Sequence, residues 1–242
     1  MITRLIDAGW EVIHQPAHAL LAFQLALHWQ ADKRPERWPE TLIALTEHDD
    51  GQDPYEGRNH LTEAGAPRHF QVLDYSVSQM QNMITIALQK SRWNALMESM
   101  HITFLYEEKR GKNAELDNCL DQQVENQQSW RKQYGVSEAV VRYAYDFVQW
   151  CDAFSLILCQ NQVPPEGRRL EISVGPDGQH YYVFQRPNGT LGVDPWPYEP
   201  DTFTAHIEYV TLDQLTFRDD KALYNALQKA PIQLQEWTLA KA

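Results

Sequence analysis

Phe147-Val148-Gln149-Trp150-Cys151-Asp152-Ala153-Phe154-Ser155-Leu156-Ile157-Leu158-Cys159 holds ten apolar residues in thirteen. A helix this apolar around most of its girth is enclosed by other protein on most sides. Its three exceptions, Gln149, Asp152 and Ser155, recur every third position and share one slanting stripe. If the stripe faces inward, an ionised Asp152 must be paired, hydrogen-bonded or bound to a metal. If it faces water, nothing about it needs explaining.

A second helix bears on that choice. Ile43-Ala44-Leu45-Thr46-Glu47-His48-Asp49-Asp50-Gly51 places an imidazole and a carboxylate side by side at a helix C-terminus, with Gly51 as the expected cap. Adjacent helical residues point about 100° apart, so His48 and Asp49 converge only on something between their directions. A divalent metal suits both donors. The alternative is His48 as a helix cap beside a solvated acidic edge. His18, in Gln15-Pro16-Ala17-His18-Ala19-Leu20-Leu21, and His101, in Ser99-Met100-His101-Ile102-Thr103-Phe104-Leu105, also stand among apolar neighbours. Either alone reads as a hydrogen-bonded core histidine. Four helices each offering such a group read as the inward-facing metal site that helix bundles build.

Composition narrows the classes. The 242 residues, 43% hydrophobic and 22% charged, suit one globular domain spanning 1–242. The net charge of −12 repels nucleic-acid phosphates and acidic membrane surfaces, so neither is an expected partner. The first ten residues lack a basic-then-apolar secretory pattern, and no apolar run reaches the roughly 20 residues of a membrane span. A cytoplasmic location is therefore expected. The three cysteines, Cys119, Cys151 and Cys159, form no CxxC pair and no disulfide framework is expected; Cys151 and Cys159, in the apolar helix, are expected in the core.

The pattern along the chain predicts an α+β fold. Residues 2–6 and 10–13 read as a hairpin turning at Asp7-Ala8-Gly9. Helices are expected over residues 16–29, 39–51, 76–108 with a break near Ser91, 114–133 and 138–160. Beyond Pro164-Pro165 strands are expected at 170–174, 180–185, 190–193, 203–211 and 232–238, with a short helix at 220–229. This predicts a mostly helical core over 14–162 and a β-rich cap from 1–13 and 163–242. The cap is expected as one small antiparallel sheet formed by the N-terminal hairpin and the C-terminal strands. Residues 51–74 show no period and read as a long loop carrying Arg58, His60, Arg68 and His69.

The order His18, His48-Asp49, Asp152 resembles the H…HD…D pattern of HD-domain metal-dependent phosphohydrolases. Asp50-Gly51 is similar to the residue and glycine that succeed the HD pair in that superfamily. Asp152-Ala153-Phe154-Ser155 is similar to its final aspartate with a small residue and a serine after it. One departure is Gln52, where many of those enzymes have a lysine. More closely, the chain resembles an uncharacterised bacterial family of HD-like proteins. The shared features are a Gln-x-x-His-Ala segment (Gln15 to Ala19), the EHDDG run (Glu47 to Gly51), and a histidine near Leu-Tyr-Glu (His101 to Glu107). A Trp-Asp-Ala-x-Ser-Leu helix (Trp150 to Leu156, with Cys151 interposed) and an Asp-Pro-Trp-Pro turn (Asp194 to Pro197) complete them.

The resemblance implies an HD-like helical core in which His18, His48, Asp49 and Asp152 ligate a divalent ion (Mn, Mg, Zn or Fe), with His101 as a further ligand. It implies hydrolysis of a small phosphorylated metabolite. Glu47 or Asp50 would take the proton from water, and Arg58, His60, Arg68 and His69 would meet the phosphate. Two alternatives keep the same residues: an HD-type di-iron oxygenase, and a non-catalytic helical binding or scaffold protein with Trp150, Trp196 and Trp237 lining a groove. Dispersal of the four proposed ligands beyond about 8 Å from a common point, far outside coordination distance, would favour the scaffold.

Overall fold

The computed structural model describes residues 1–49 and 60–241. Two strands, β1 (Ile2–Ile6) and β2 (Gly9–Ile13), pair antiparallel as the expected hairpin. Gly9 has φ 146°, and a Cβ there would lie 2.1 Å from the Leu212 carbonyl oxygen, so a side chain does not fit. Next comes α1 (Gln15–Leu27), with Pro16 in the first turn, where a missing N–H costs nothing. It is followed by α2 (Trp38–Glu47), which ends before the expected Gly51 and leaves His48 as its C-cap. Ser91 separates α3 (Val77–Lys90) from α4 (Arg92–Tyr106), its Oγ accepting the Asn94 N–H at 3.1 Å. The fifth helix, α5 (Ala114–Tyr134), stops at left-handed Gly135. Ser137 caps α6 (Glu138–Cys159) by accepting the Val140 N–H.

The apolar helix read from the sequence is the C-terminal part of α6, and α1, α2, α4 and β3 all pack on α6. Trp150 is fully buried at its centre, against Trp29, Phe154, Tyr181 and Tyr198 at ring separations of 4.9, 5.5, 5.4 and 6.3 Å. It therefore belongs to the core and lines no groove. Cys151 and Cys159 are buried as expected, Cys119 is buried too, and all three are free.

The expected architecture is overturned at the sheet. In place of a mostly helical HD-like core with a small antiparallel cap there are, among the described residues, seven α-helices and one seven-stranded mixed sheet. Its C-terminal members are β3 (Leu170–Val174), β4 (His180–Gln185), β5 (Leu191–Asp194), β6 (Thr202–Leu212) and β7 (Ile232–Ala240). The spatial order is β1-β2-β6-β7-β5-β4-β3, and β5 runs parallel to β7 while every other pair is antiparallel. The crossover through α7 (Asp220–Lys229) returns β7 between β6 and β5, fusing what read as two small strand groups into one layer. One cluster of buried residues runs continuously from α1 and α6 into β4, β5 and β6, so the sheet is an integral layer of the core and no cap.

Strand β6 serves both faces of that sheet. Phe203, Ala205 and Ile207 join the main core, whereas Val210 and Leu212, out of phase with them, join Val12, Phe217, Leu223 and Leu227 in a second cluster closed by α7. None of the described helices is long and apolar enough to cross a membrane.

If α6 is the centre of packing, Trp150→Ala lowers unfolding free energy by about 3–5 kcal/mol in urea denaturation. Trp237→Ala, at a half-buried position on β7, costs less than about half as much. The opposite ranking would contradict the layering of helices and sheet about α6.

Candidate metal centre

Four chain segments, α1, the end of α2, α4 and α6, bring the predicted ligands together. His18 is in the first turns of α1, and its Nδ1 lies in close hydrogen-bonding contact with the Gln15 carbonyl. His48 caps α2, and its Nδ1 lies 2.8 Å from the Leu45 carbonyl. A carbonyl oxygen only accepts, so both Nδ1 atoms carry protons and both neutral rings present a bare Nε2. Those two Nε2 atoms are 3.1 Å apart. Asp152, on the inward stripe of α6, places Oδ1 3.1 Å from His18 Nε2 and 3.2 Å from His48 Nε2. Asp49 Oδ2 is 3.4 Å from His18 Nε2 and 4.0 Å from His48 Nε2. Ser155, on the same stripe, is also buried, its hydroxyl donating to the Asp152 carbonyl.

Lone pairs of two imidazoles and two carboxylates thus face one another with no donor among them. The spacing fits a shared cation. Two donors each about 2.1 Å from one ion lie about 3.0 Å apart at a right angle and about 3.4 Å apart at the tetrahedral angle. Four of the five measured separations fall in or near that interval, and 4.0 Å approaches the roughly 4.2 Å of opposite corners. His101 stacks edge-on to His48 at 5.0 Å and forms a second close set with His48 and Asp152. The groups His18, His48, Asp49 and His48, His101, Asp152 each have ligand atoms within 4.8 Å of one another.

Without a metal, a proton supplies the missing charge. Burial alone would lower the His48 pKa, but Asp152 and Asp49 outweigh it and raise it to about 10. Asp152 shows the converse: burial would raise it, yet His48 and His18 hold it well below the usual carboxylate range. Asp49 is lowered in the same way, against burial, by His48, His18 and His101. His101 is pushed down to about 4, first by burial and then by the His48 charge, so it is a neutral donor at physiological pH.

Three further residues that sequence reading did not place in the site surround it. Gln15 Nε2 donates to Asp49 Oδ2 at 3.0 Å. Tyr145 Oη is 3.2 Å from His101 Nδ1, and it stands seven residues, two turns, before Asp152. Glu98 is buried on α4, and its charge helps to raise the His48 pKa. Its signal was an acid in an apolar helix, three residues and so one face away from His101.

Among the other predicted residues, Glu47 is engaged by Lys90 Nζ at 2.7 Å and Asn94 Nδ2 at 3.5 Å, which puts its carboxylate in an ion pair. The carbonyl of His60 accepts the Arg68 N–H at 2.8 Å. His69 leads a single 3-10 turn, Phe70–Val72, whose Phe70 N–H donates to the Met1 carbonyl. Burial lowers the Met1 amine to about 6, with the Asp49 charge acting in the opposite direction. Asp50 and Arg58 lie outside the described residues.

Fold and site together define an α+β protein with a buried histidine–aspartate centre of metal-ligating composition. Residues 1–214 match the model of a family described as "Protein of unknown function (DUF3891)", and the chain belongs to that family. The match ends beyond β6, so α7 and β7 lie outside it. No curated protein matches the chain, and neither does any solved structure.

The electrostatics predict opposite pH trends for the two forms of the protein. His48, raised from 6.5 to about 10, stabilises the metal-free fold fully below pH 6.5 and progressively less as pH rises towards 10. Asp152, lowered from 3.8, stabilises it fully above pH 3.8 and less as pH falls. Metal binding must displace the His48 proton, so affinity for Mn2+ rises by about one log unit per pH unit between pH 6 and 9. Calorimetric titration of chelator-treated protein checks this, and a pH-independent affinity would contradict it.

Proposed function

We propose that the protein is a metal-dependent hydrolase with an HD-type ligand set, acting on a small phosphorylated metabolite. The observation that carries this reading is the convergence of His18, His48, Asp49 and Asp152 with separations of 3.1–4.0 Å. Their order along the chain, H…HD…D, is the order of the HD phosphohydrolases. That order supports the reading of the site, while the seven-stranded sheet sets the surrounding architecture apart from the helical one the resemblance implied.

His18, His48, Asp49 and Asp152 hold the ion, with His101 beside them. A divalent cation bound there lowers the pKa of water towards neutrality and offsets charge on a phosphoryl oxygen. His18 and His48 are held in the ligating tautomer by the Gln15 and Leu45 carbonyls. Burial excludes bulk water from their rings and strengthens each electrostatic contact. Arg68 and His69, on the segment tied to the N-terminal strand by the Phe70–Met1 hydrogen bond, would be the groups to meet a phosphate. Such local positive charge is needed in a chain of net charge −12. Glu47, tied to Lys90, must leave that ion pair to act as a base. Asp50 is then the stronger candidate of the two.

The test is phosphate release from a panel of sugar phosphates and nucleoside phosphates with Mn2+, Co2+ or Mg2+ added. Wild type is expected to turn over at least one class, and His48→Ala and Asp152→Ala to lose at least about a hundredfold. Failure of every ester with metal-loaded protein would overturn the hydrolase reading.

A second reading has one observation in its favour. His101 lies in a second close group with His48 and Asp152 and would supply the extra ligand that a two-iron, oxygen-activating centre needs. Iron and visible colour in freshly purified protein would support it over the first. The dispersal that favoured a non-catalytic scaffold is not found among the described ligands.

A further inference from the structure

Gln15 touches two of the proposed ligands at once. Its backbone carbonyl accepts the His18 Nδ1 proton, and its side-chain Nε2 donates to Asp49 Oδ2 at 3.0 Å. The orientation of the amide is set by its partner: an ionised carboxylate only accepts, so the NH2 group must face Asp49. The oxygen of the same planar group is then left over. Gln15 is 4% exposed, and its Oε1 has no hydrogen-bond partner among the described residues.

A buried amide oxygen without a partner costs about 1–3 kcal/mol. The penalty is incurred beside a cluster of ligand atoms rather than in the apolar core, and a bound group carrying a proton would remove it. Shape and charge restrict that group. The oxygen accepts only, so it rewards a water, hydroxyl or N–H and offers nothing to a fully deprotonated anion.

We propose that Gln15 is a positioning and specificity residue of the metal centre. Its amide nitrogen orients Asp49, and its amide oxygen selects ligands that bring a hydrogen-bond donor. For the hydrolase reading this favours a water molecule, a monoprotonated phosphate or a substrate hydroxyl over an acceptor-only anion. The proposal rests on the metal-centre reading. Any residue at position 15 could present its carbonyl to His18 Nδ1, so it is the side-chain contact to Asp49 that accounts for the glutamine of the Gln15-x-x-His18 motif.

The test uses full-length protein and Co2+ as a visible probe, in wild type, Gln15→Leu and the isosteric Gln15→Glu, with thermal unfolding to establish that each is folded. Acetohydroxamate, which keeps an N–H donor, and azide, which has none, are then titrated into each Co2+ form. Gln15→Leu is expected to weaken Co2+ binding by about tenfold or more. It is also expected to weaken acetohydroxamate by about tenfold while azide stays within about twofold. Gln15→Glu, which keeps an acceptor oxygen in place, is expected to retain the preference for acetohydroxamate over azide. Equal losses for both probes, or variants indistinguishable from a Co2+-loaded wild type, would overturn the role of Gln15 and leave the metal centre standing. A wild type that takes up no Co2+ would overturn both.

Discussion

Two backbone carbonyls govern the chemistry of the centre. The Gln15 and Leu45 carbonyls fix the Nδ1 protons of His18 and His48, so the bare Nε2 atoms meet at 3.1 Å with Asp152 Oδ1 beside both. Like lone pairs at that distance repel unless a cation lies among them. A proton can serve, and the raised His48 pKa reflects that service, but a proton bridges only two atoms at a time. A divalent ion satisfies all four together. The rest of the architecture holds this cluster in place: α1, α2 and α4 pack round α6, and the sheet supports α1 and α6 from behind through Trp29, Trp150, Tyr181 and Tyr198.

Burial makes the cluster both costly and useful. Taking carboxylates and imidazoles out of water is unfavourable unless each is compensated. Asp152 and Asp49 have histidines for that purpose, Asp49 has Gln15 as well, and His101 avoids the cost by staying neutral against Tyr145. The same enclosure that makes these charges costly would strengthen their hold on a bound cation.

Much of this was legible in the sequence, for local reasons. The break at Ser91, the caps at Ser137 and Gly135, and the turns at Gly175 to Gly178 and Asn188-Gly189 are short-range signals, and the elements fall close to where they point. The histidines and aspartates that converge were legible because polar groups are conspicuous in apolar helices. The sheet was not, because the parallel pairing of Leu191 with Leu239 joins segments far apart in sequence and leaves no local trace. Ile232 and Leu234 on β7 are exposed, so hydrophobic pattern alone misjudged how that strand is used. Glu98, Tyr145 and the side-chain role of Gln15 depend on which helices become neighbours, and so does the pairing of Glu47 with Lys90.

The most direct measurement is an anomalous difference map from crystals of the full-length protein grown with Mn2+, collected above and below the manganese edge. The account predicts a single strong peak about 2.0–2.3 Å from His18 Nε2, His48 Nε2 and Asp152 Oδ1, with Asp49 as a fourth ligand. A map with no peak there, while the four side chains keep their mutual positions, would contradict it.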